Sequence, residues 1–278
     1  MLARVSSSLH VVRSIQARNM SHTTSPPKAA ICVIANEVLS GKTLDTNSNY
    51  LAKFLFRRGI DLARISVIPD DAEVIAETVQ SFVKLVGPTG YVFTSGGIGP
   101  THDDITYESI AAAFDVPMEV HGPTRDDLKR FLEAKGQELN EDRLRMVTFP
   151  KGANVLKTST WVPIVAVENV YILPGIPRLL HQMIESNEDH FQGVPILQAK
   201  ARTHLFEGAI AAGLKKIQNE YPSVMIGSYV NTKEDHIDVE KRSFQVQVTL
   251  YSRSQASIDT VLPLIVQTID GWVAPTDE

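Results

Sequence analysis

The stretch Thr94-Ser95-Gly96-Gly97-Ile98-Gly99-Pro100-Thr101-His102-Asp103-Asp104-Ile105-Thr106 sets three glycines beside two adjacent carboxylates. Glycine lets a backbone take positive φ and approach a ligand with no Cβ in the way. The N–H groups of such a loop, followed by a helix N-terminus, form a cradle for an anion. The stretch lacks the Lys-Ser/Thr ending of a P-loop and the spacing of the dinucleotide GxGxxG. Asp103 and Asp104 would repel a phosphate in that cradle unless a divalent cation lay between them. Ions of the Mg²⁺ class take oxygen ligands, commonly one or two carboxylates together with substrate phosphates. The chemistry this pattern points to is therefore metal-assisted reaction at a phosphate. The alternative is a tight turn whose acids cap the following helix, a place Asp favours. Residue types alone leave both open, and they leave His102 as either a substrate contact or a solvated loop histidine.

Two further stretches carry groups of the same kind. Asn36-Glu37 follows an apolar run, and Gly41-Lys42-Thr43-Leu44-Asp45-Thr46-Asn47-Ser48-Asn49 precedes a helical pattern. Glu37 and Asp45 are candidate carboxylate ligands, while Thr46, Asn47 and Ser48 offer amides or hydroxyls at a helix start. Asp45 serves equally well as a plain N-cap. Pro174-Gly175-Ile176-Pro177 joins a strand to a helix, and either closes a pocket or acts only as a rigid turn.

These loops need elements to hold them. Residues 30–35 read as a strand covered on both faces, and 47–58 as a helix with Leu51, Phe54 and Leu55 on one face. A strand at 62–68 follows, then a helix begun by Pro69-Asp70-Asp71 and ending before Gly87. Residues 91–94 form a strand leading into the glycine loop, with helices at 106–114 and 125–135 and a polar segment at 140–145. Residues 164–167 and 170–173 pair as a hairpin across Glu168-Asn169. Pro177 then opens a helix to about Glu185. Past a composition change at 187–195 come strands at 198–205, 224–230 and 244–251, helices at 207–220 and 258–269, and a charged loop at 233–241. Strand–helix alternation followed by a small mixed unit indicates an α/β sandwich with an α+β appendage. The divisions drawn are 1–28, 29–190 and 191–278.

The chain has 278 residues, 43% hydrophobic and 21% charged, with a formal net charge of −5. Those proportions suit a globular protein and exclude a largely disordered one. No apolar run approaches the roughly 18 residues a membrane span needs. Acidic balance without a basic block disfavours nucleic acid as partner. Cys32, the one cysteine, lies in an apolar run and reads as a small buried hydrophobe, so no internal disulfide and no multi-Cys zinc site can form. Before Glu37 there is no acid, while Arg4, Arg13, Arg18 and Lys28 stand among scattered serines. Residues 1–28 thus read as a mitochondrial transit peptide or a disordered tail, with Met20 as a possible second start. The expected location is mitochondrial or cytoplasmic accordingly.

Glu37 with Asp45-Thr46-Asn47-Ser48, the loop Gly96–Thr106, and Tyr171-Ile172-Leu173-Pro174-Gly175-Ile176-Pro177 together resemble the MoaB/Mog-like molybdopterin-binding superfamily. They are most similar to its CinA-type branch and to the N-terminal domain of animal FAD synthases. The similarity runs from about Ala29 to Asn187, and Ile226-Gly227-Ser228-Tyr229 resembles the small domain that follows in that branch. The resemblance implies a three-layer α/β/α sandwich with a mixed sheet, plus a small C-terminal α+β domain, assembled into homo-oligomers (dimers or trimers). It also implies divalent-metal-dependent hydrolysis of a pyrophosphate, with FAD (giving FMN and AMP) or ADP-ribose as substrate, Mg²⁺ or Co²⁺ as metal, and K⁺ as a further ion. Carried over residue by residue, Asp45, Asp103 and Asp104 would hold metal and serve catalysis, with Glu37 a fourth candidate ligand. Gly96, Gly97, Gly99, Pro100, Thr101 and Thr106 would meet the phosphates, while Thr46, Asn47, Ser48, Pro174 and Gly175 would complete the substrate site. One departure matters: the Gly-Asp-Glu or Gly-Thr-Glu usual after the first strand is Ala35-Asn36-Glu37 here, which puts metal binding in doubt. FAD synthesis is not carried over, because the sequence ends at Glu278 without the domain that performs it. The competing readings are a non-catalytic binder of a pterin or flavin nucleotide and, on superfamily analogy alone, a molybdopterin adenylyltransferase.

Overall fold

After Lys28 the run Ala29–Ile34 carries no charged side chain, so as a strand it belongs where both faces are covered. In the computed structural model, which describes residues 25–275, β1 (Lys28–Ile34) is buried from Ala29 onward as an interior strand. The transit-peptide expectation falls largely on residues 1–24, outside the described residues. Next come α1 (Asn36–Leu39), α2 (Asn47–Arg57), β2 (Asp61–Ile68), α3 (Ala72–Val86), β3 (Tyr91–Ser95) and α4 (Thr106–Ala113). An excursion follows, made of β4 (Met118–Val120), α5 (Gly122–Glu133), α6 (Glu141–Arg145) and β5 (Thr148–Pro150). The chain returns through β6 (Asn154–Leu156), β7 (Ile164–Val167), β8 (Val170–Leu173) and α7 (Pro177–Glu185).

The main sheet has the order β2-β1-β3-β8-β7-β6. Its first four strands run parallel, and β7 and β6 are antiparallel to their neighbours, so the sheet is mixed. Leu51, Phe54 and Leu55 of α2 and Leu180, Met183 and Ile184 of α7 cover one face. Ile75, Val79 and Phe82 of α3 and Tyr107 and Ile110 of α4 cover the other. The architecture is the three-layer α/β/α sandwich that the motifs resembled. Cys32 is fully buried between the layers, and burial pushes its thiol up to about 12, which leaves it a hydrophobe.

The C-terminal unit contains β9 (Leu197–Thr203), α8 (Glu207–Glu220), β10 (Met225–Val230), β11 (Val246–Ser252), α9 (Gln255–Thr268) and β12 (Trp272–Ala274). Its antiparallel sheet, ordered β10-β11-β9-β12, is covered by α8 and α9 through Ile210, Leu214, Val261 and Ile265. Arg253 ties this unit to the main sheet, donating to Asp61 Oδ1 at 2.7 Å.

Several elements differ from expectation for local reasons. Pro123 fits the first turn of a helix, so α5 begins at Gly122. The Ser254 hydroxyl accepts from the Ser257 amide, which starts α9 at Gln255. Asn140 caps the polar segment into α6 by accepting from the Arg143 amide. Strands β4, β5, β6 and β12 have three residues each, too few to show a period of two. Among the described residues no helix is long and apolar enough to cross a membrane.

Candidate functional site

Open parallel sheets leave their ligand crevice at the carboxyl ends of the strands. Here β1, β3 and β8 end in Ala35-Asn36-Glu37, the glycine loop and Pro174-Gly175. A cavity of about 840 Å³ opens between them, lined by Glu37, Gly96, Gly97, Gly99, Thr101, Asp103, Asp104, Pro174 and Gly175 from among the residues proposed.

The glycine loop is shaped by a close approach at each glycine, a Cβ on Gly97 standing 2.3 Å from Thr106 Oγ1. Gly96 has φ +113°, and a Cβ there would stand 2.2 Å from the Ile34 carbonyl oxygen. A Cβ on Gly99 would stand 2.6 Å from Asp104 Oδ2, so only glycine lets that carboxylate lean over the loop. The Gly96 amide is spent on the Leu173 carbonyl. The amides of Gly97, Ile98 and Gly99 have no protein acceptor among the described residues, whereas most buried or half-buried amides find one. Three consecutive amides of this kind at a cavity wall make a concavity for an anion.

Beside them the acids converge. The Thr101 amide donates to Asp104 Oδ2 at 2.8 Å. The Thr101 hydroxyl lies 2.6 Å from Asp103 Oδ1 and 2.5 Å from Asp104 Oδ2. A hydroxyl has one proton to donate, so two carboxylates crowding it make a site short of positive charge. The Thr101 hydroxyl and then the Asp103 backbone amide hold the Asp103 carboxyl below the usual carboxylate range. Among the described residues no three His, Cys, Asp or Glu side chains gather tightly enough to cage an ion. A cation here would take Asp103 and Asp104 and complete its shell with phosphate oxygens and water, which is how Mg²⁺-class ions are usually held. The donor set fits that arrangement.

Two residues of the site were not singled out by spacing. Asp70, just past β2, lines the same cavity, and its Oδ2 accepts from the Asn36 amide at 2.9 Å. A carboxylate thus stands beside the Asn36 backbone, although the Asn36 side chain carries none. Burial first, then the charges of Glu37 and Asp103, raise the Asp70 pKa against the lowering effect of the Asn36 amide. In the sequence this acid hides inside Pro69-Asp70-Asp71, of which only Asp71 caps α3. Arg145, at the end of α6, donates to the carbonyls of Thr101 at 2.9 Å and Asp104 at 2.8 Å and pairs with Glu108 at 3.1 Å. It straps the acidic loop from outside the cavity.

A raised folded-state pKa means that ionised Asp70 costs stability above the carboxyl's unfolded value, and that this cost disappears once pH falls below it. Asp70→Asn keeps an acceptor for the Asn36 amide and removes the charge. The metal-free variant is expected to melt higher than the parent near pH 7 and to match it below about pH 4. Circular dichroism melts at both pH values check this, and a lower Tm at pH 7 would show that the charged hydrogen bond dominates.

The remaining proposed residues do not line the cavity. Asp45 accepts from the Ser48 amide at 3.0 Å and from the Ser48 hydroxyl, so its carboxylate caps α2, the alternative weighed for it. Thr46 is exposed and makes no side-chain cap. Asn47 is buried and bridges loops, donating to Ser95 Oγ at 3.0 Å and the Gly175 carbonyl at 2.8 Å. Thr106, fully buried, latches α4 to the glycine loop by donating to the Gly96 carbonyl at 2.9 Å. Pro100 and His102 face solvent. Of these, the buried Asn47 and Thr106 shape the walls from behind.

Fold and site together define an α/β/α sandwich with a ligand cavity at its strand ends. The chain belongs to the molybdopterin-binding domain family: residues 30–188 match the family described as "Probable molybdopterin binding domain". Residues 195–277 match "FAD synthase, middle domain". A "Probable FAD synthase" of Caenorhabditis elegans is 32% identical over 276 residues, covering 90% of this chain and 51% of its own length. The chain thus spans about half the length of that relative and of its Caenorhabditis briggsae counterpart. A protein of Metallosphaera sedula is 32% identical, with 88% of this chain and 94% of its own covered. Among solved structures, the protein CinA of Thermoplasma acidophilum, titled as of unknown function, is 28% identical with a TM-score of 0.53, covering 59% of this chain and 97% of its own.

Proposed function

We propose that this protein is a divalent-metal-dependent pyrophosphatase that cleaves FAD to FMN and AMP, or a related ADP-containing dinucleotide such as ADP-ribose. The observation that carries the reading is that Gly97, Ile98 and Gly99, whose amides have no protein acceptor among the described residues, line the same cavity as Glu37, Asp70, Asp103 and Asp104. Amides alone would suit any anion; amides beside clustered acids suit an anion that arrives with a cation. The relatives named FAD synthase and the FAD synthase middle-domain match support a flavin nucleotide as that anion.

In this reading the three amides hold non-bridging oxygens of the diphosphate, and Arg145 keeps the Thr101–Asp104 loop in place. Asp103 and Asp104 would hold Mg²⁺ or Co²⁺, which neutralises phosphate charge and makes a bound water more acidic. Glu37 and Asp70 offer acceptors that orient a water at the cavity mouth. Water adds its oxygen to one phosphorus, the bond from that phosphorus to the bridging oxygen breaks, and the two monophosphates leave with the water's protons distributed between them and solvent. A stimulating K⁺ and assembly into dimers or trimers belong to the same proposal, the second testable by light scattering.

Purified protein incubated with FAD and Mg²⁺ or Co²⁺ is expected to release FMN and AMP in equal amounts, with chelator abolishing the release. Lack of turnover with FAD, ADP-ribose and NADH alike would end the hydrolase reading. Tight nucleotide binding without product would establish the non-catalytic binder instead, a reading favoured by the commitment of Asp45 to its helix.

A further inference from the structure

The phosphate-facing acids occupy only part of the cavity. Much of its remaining wall is apolar, with Thr160 and Tyr107 as the polar side chains in it, and a large part comes from Phe131 of α5, Trp161 of the loop before β7, and Ile176 and Leu179 around the start of α7. Phe131 is 38% exposed and Ile176 64% exposed, large apolar surface left uncovered at a site that elsewhere is built for charge. The Phe131 and Trp161 rings lie 5.7 Å apart at 38°, and Lys135 Nζ sits 4.3 Å from the Phe131 centroid.

The loop that presents Trp161 is locked by its own hydroxyls. The Thr158 hydroxyl donates to the Val162 carbonyl at 2.7 Å, and the amides of Thr160 and Val162 donate to the hydroxyls of Thr158 and Thr160. The Ser159 amide and the Lys157 carbonyl are pinned to Ser186 and Asn187 at the end of α7. Trp161 is therefore held ready, and the hydroxyls next to it are already engaged. A wall of this kind recognises a ring by its face and apolar rim, and reads few edge donors or acceptors. Adenine is usually told apart by its edge, whereas the isoalloxazine ring has a dimethylated benzenoid end with no polar atom.

We infer that Trp161, with Phe131 beside it, is the platform on which the isoalloxazine ring of a flavin nucleotide stacks, and so is the residue that selects flavin over other ADP-containing dinucleotides. The inference rests on the reading of the cavity as a dinucleotide site; it adds which end of the substrate faces the apolar wall.

The chain has two tryptophans, Trp161 and Trp272, and the latter sits on β12 beside His204. Trp272→Phe therefore leaves Trp161 as sole reporter. Titrating that variant, free of metal, with FMN, riboflavin, AMP and ADP-ribose is expected to give saturable quenching with the two flavins and none with AMP. In the parent background, Trp161→Leu keeps an apolar side chain against the neighbouring core and removes the ring. It is expected to weaken FMN binding, read by calorimetry, roughly 10- to 100-fold, the range that loss of one aromatic stacking partner supports. Trp161→Phe is expected to recover most of that loss, and matching melts of all variants exclude unfolding. Quenching by AMP without quenching by flavins, or an unchanged FMN affinity in Trp161→Leu, overturns the platform even if FAD is hydrolysed. Flavin quenching in a protein that hydrolyses nothing leaves the platform standing and ends only the hydrolase reading.

Discussion

Replacing Asp104 by Asn is expected to lower metal-supported FAD cleavage by roughly 10²- to 10³-fold while shifting Tm by less than about 2 °C. The two effects separate because Asp104 does two things. Its Oδ2 accepts from the Thr101 amide, which closes the turn, and its charge joins that of Asp103 at the Thr101 hydroxyl. An Asn side-chain oxygen can still close the turn, but it brings no charge for a cation. Asp104→Ala loses both, and loss of a capping acceptor costs about 1 kcal/mol, or roughly 2–4 °C in a domain of this size. Product assays with Mg²⁺ and Co²⁺, run beside thermal melts, distinguish the roles. Should Asp104→Asn stay active while Asp104→Ala only loses stability, the carboxylate is a cap and the metal reading fails.

Gly96→Ala is expected to be the most damaging single methyl in the site. Its φ of +113° is one an L side chain rarely adopts, and strain of that kind costs of order 1–3 kcal/mol. The added Cβ would also lie 2.2 Å from the Ile34 carbonyl, so β3 and the end of β1 could not keep their spacing. Overpacking against backbone adds a further 1–3 kcal/mol. The total, about 2–6 kcal/mol, corresponds to a Tm lower by roughly 5–20 °C. A Gly96→Ala protein that melts with the parent would mean that the loop does not approach Ile34 as described. Such a variant should also lose anion binding, because the amides of Gly97 and Ile98 move with the clash.

The sandwich was legible wherever punctuation and period agreed. The hairpin of β7 and β8 and the start of α7 at Pro177 lie where Glu168-Asn169 and Pro174-Gly175-Ile176-Pro177 place them. The glycine loop was legible as a candidate cavity wall because three glycines and two acids follow an apolar strand at its carboxyl end, although a capped turn would show the same residues. Asp45, Thr46, Asn47, Ser48 and Thr106 have the right chemistry for ligands, yet none lines the cavity: Asp45 and Ser48 pair with each other, Thr46 is exposed, and Asn47 and Thr106 are buried behind the wall. The same oxygens and amides that bind ligands also cap helices and tie loops, and residue type does not tell which. Asp70, Arg145, Phe131 and Trp161 were illegible for the opposite reason. Each comes from a segment whose distance along the chain says nothing of its nearness in space: Asp70 follows β2, Phe131 and Arg145 belong to the excursion between β4 and β5, and Trp161 precedes β7.

The excursion between β4 and β5 contributes to both halves of that cavity: Phe131 belongs to the aromatic wall, and Arg145 grips the backbone under Asp103 and Asp104. On the proposed reading, recognition of the ring and poise of the reacting end would share one lever. Drift in this segment would then alter selectivity and turnover at the same time.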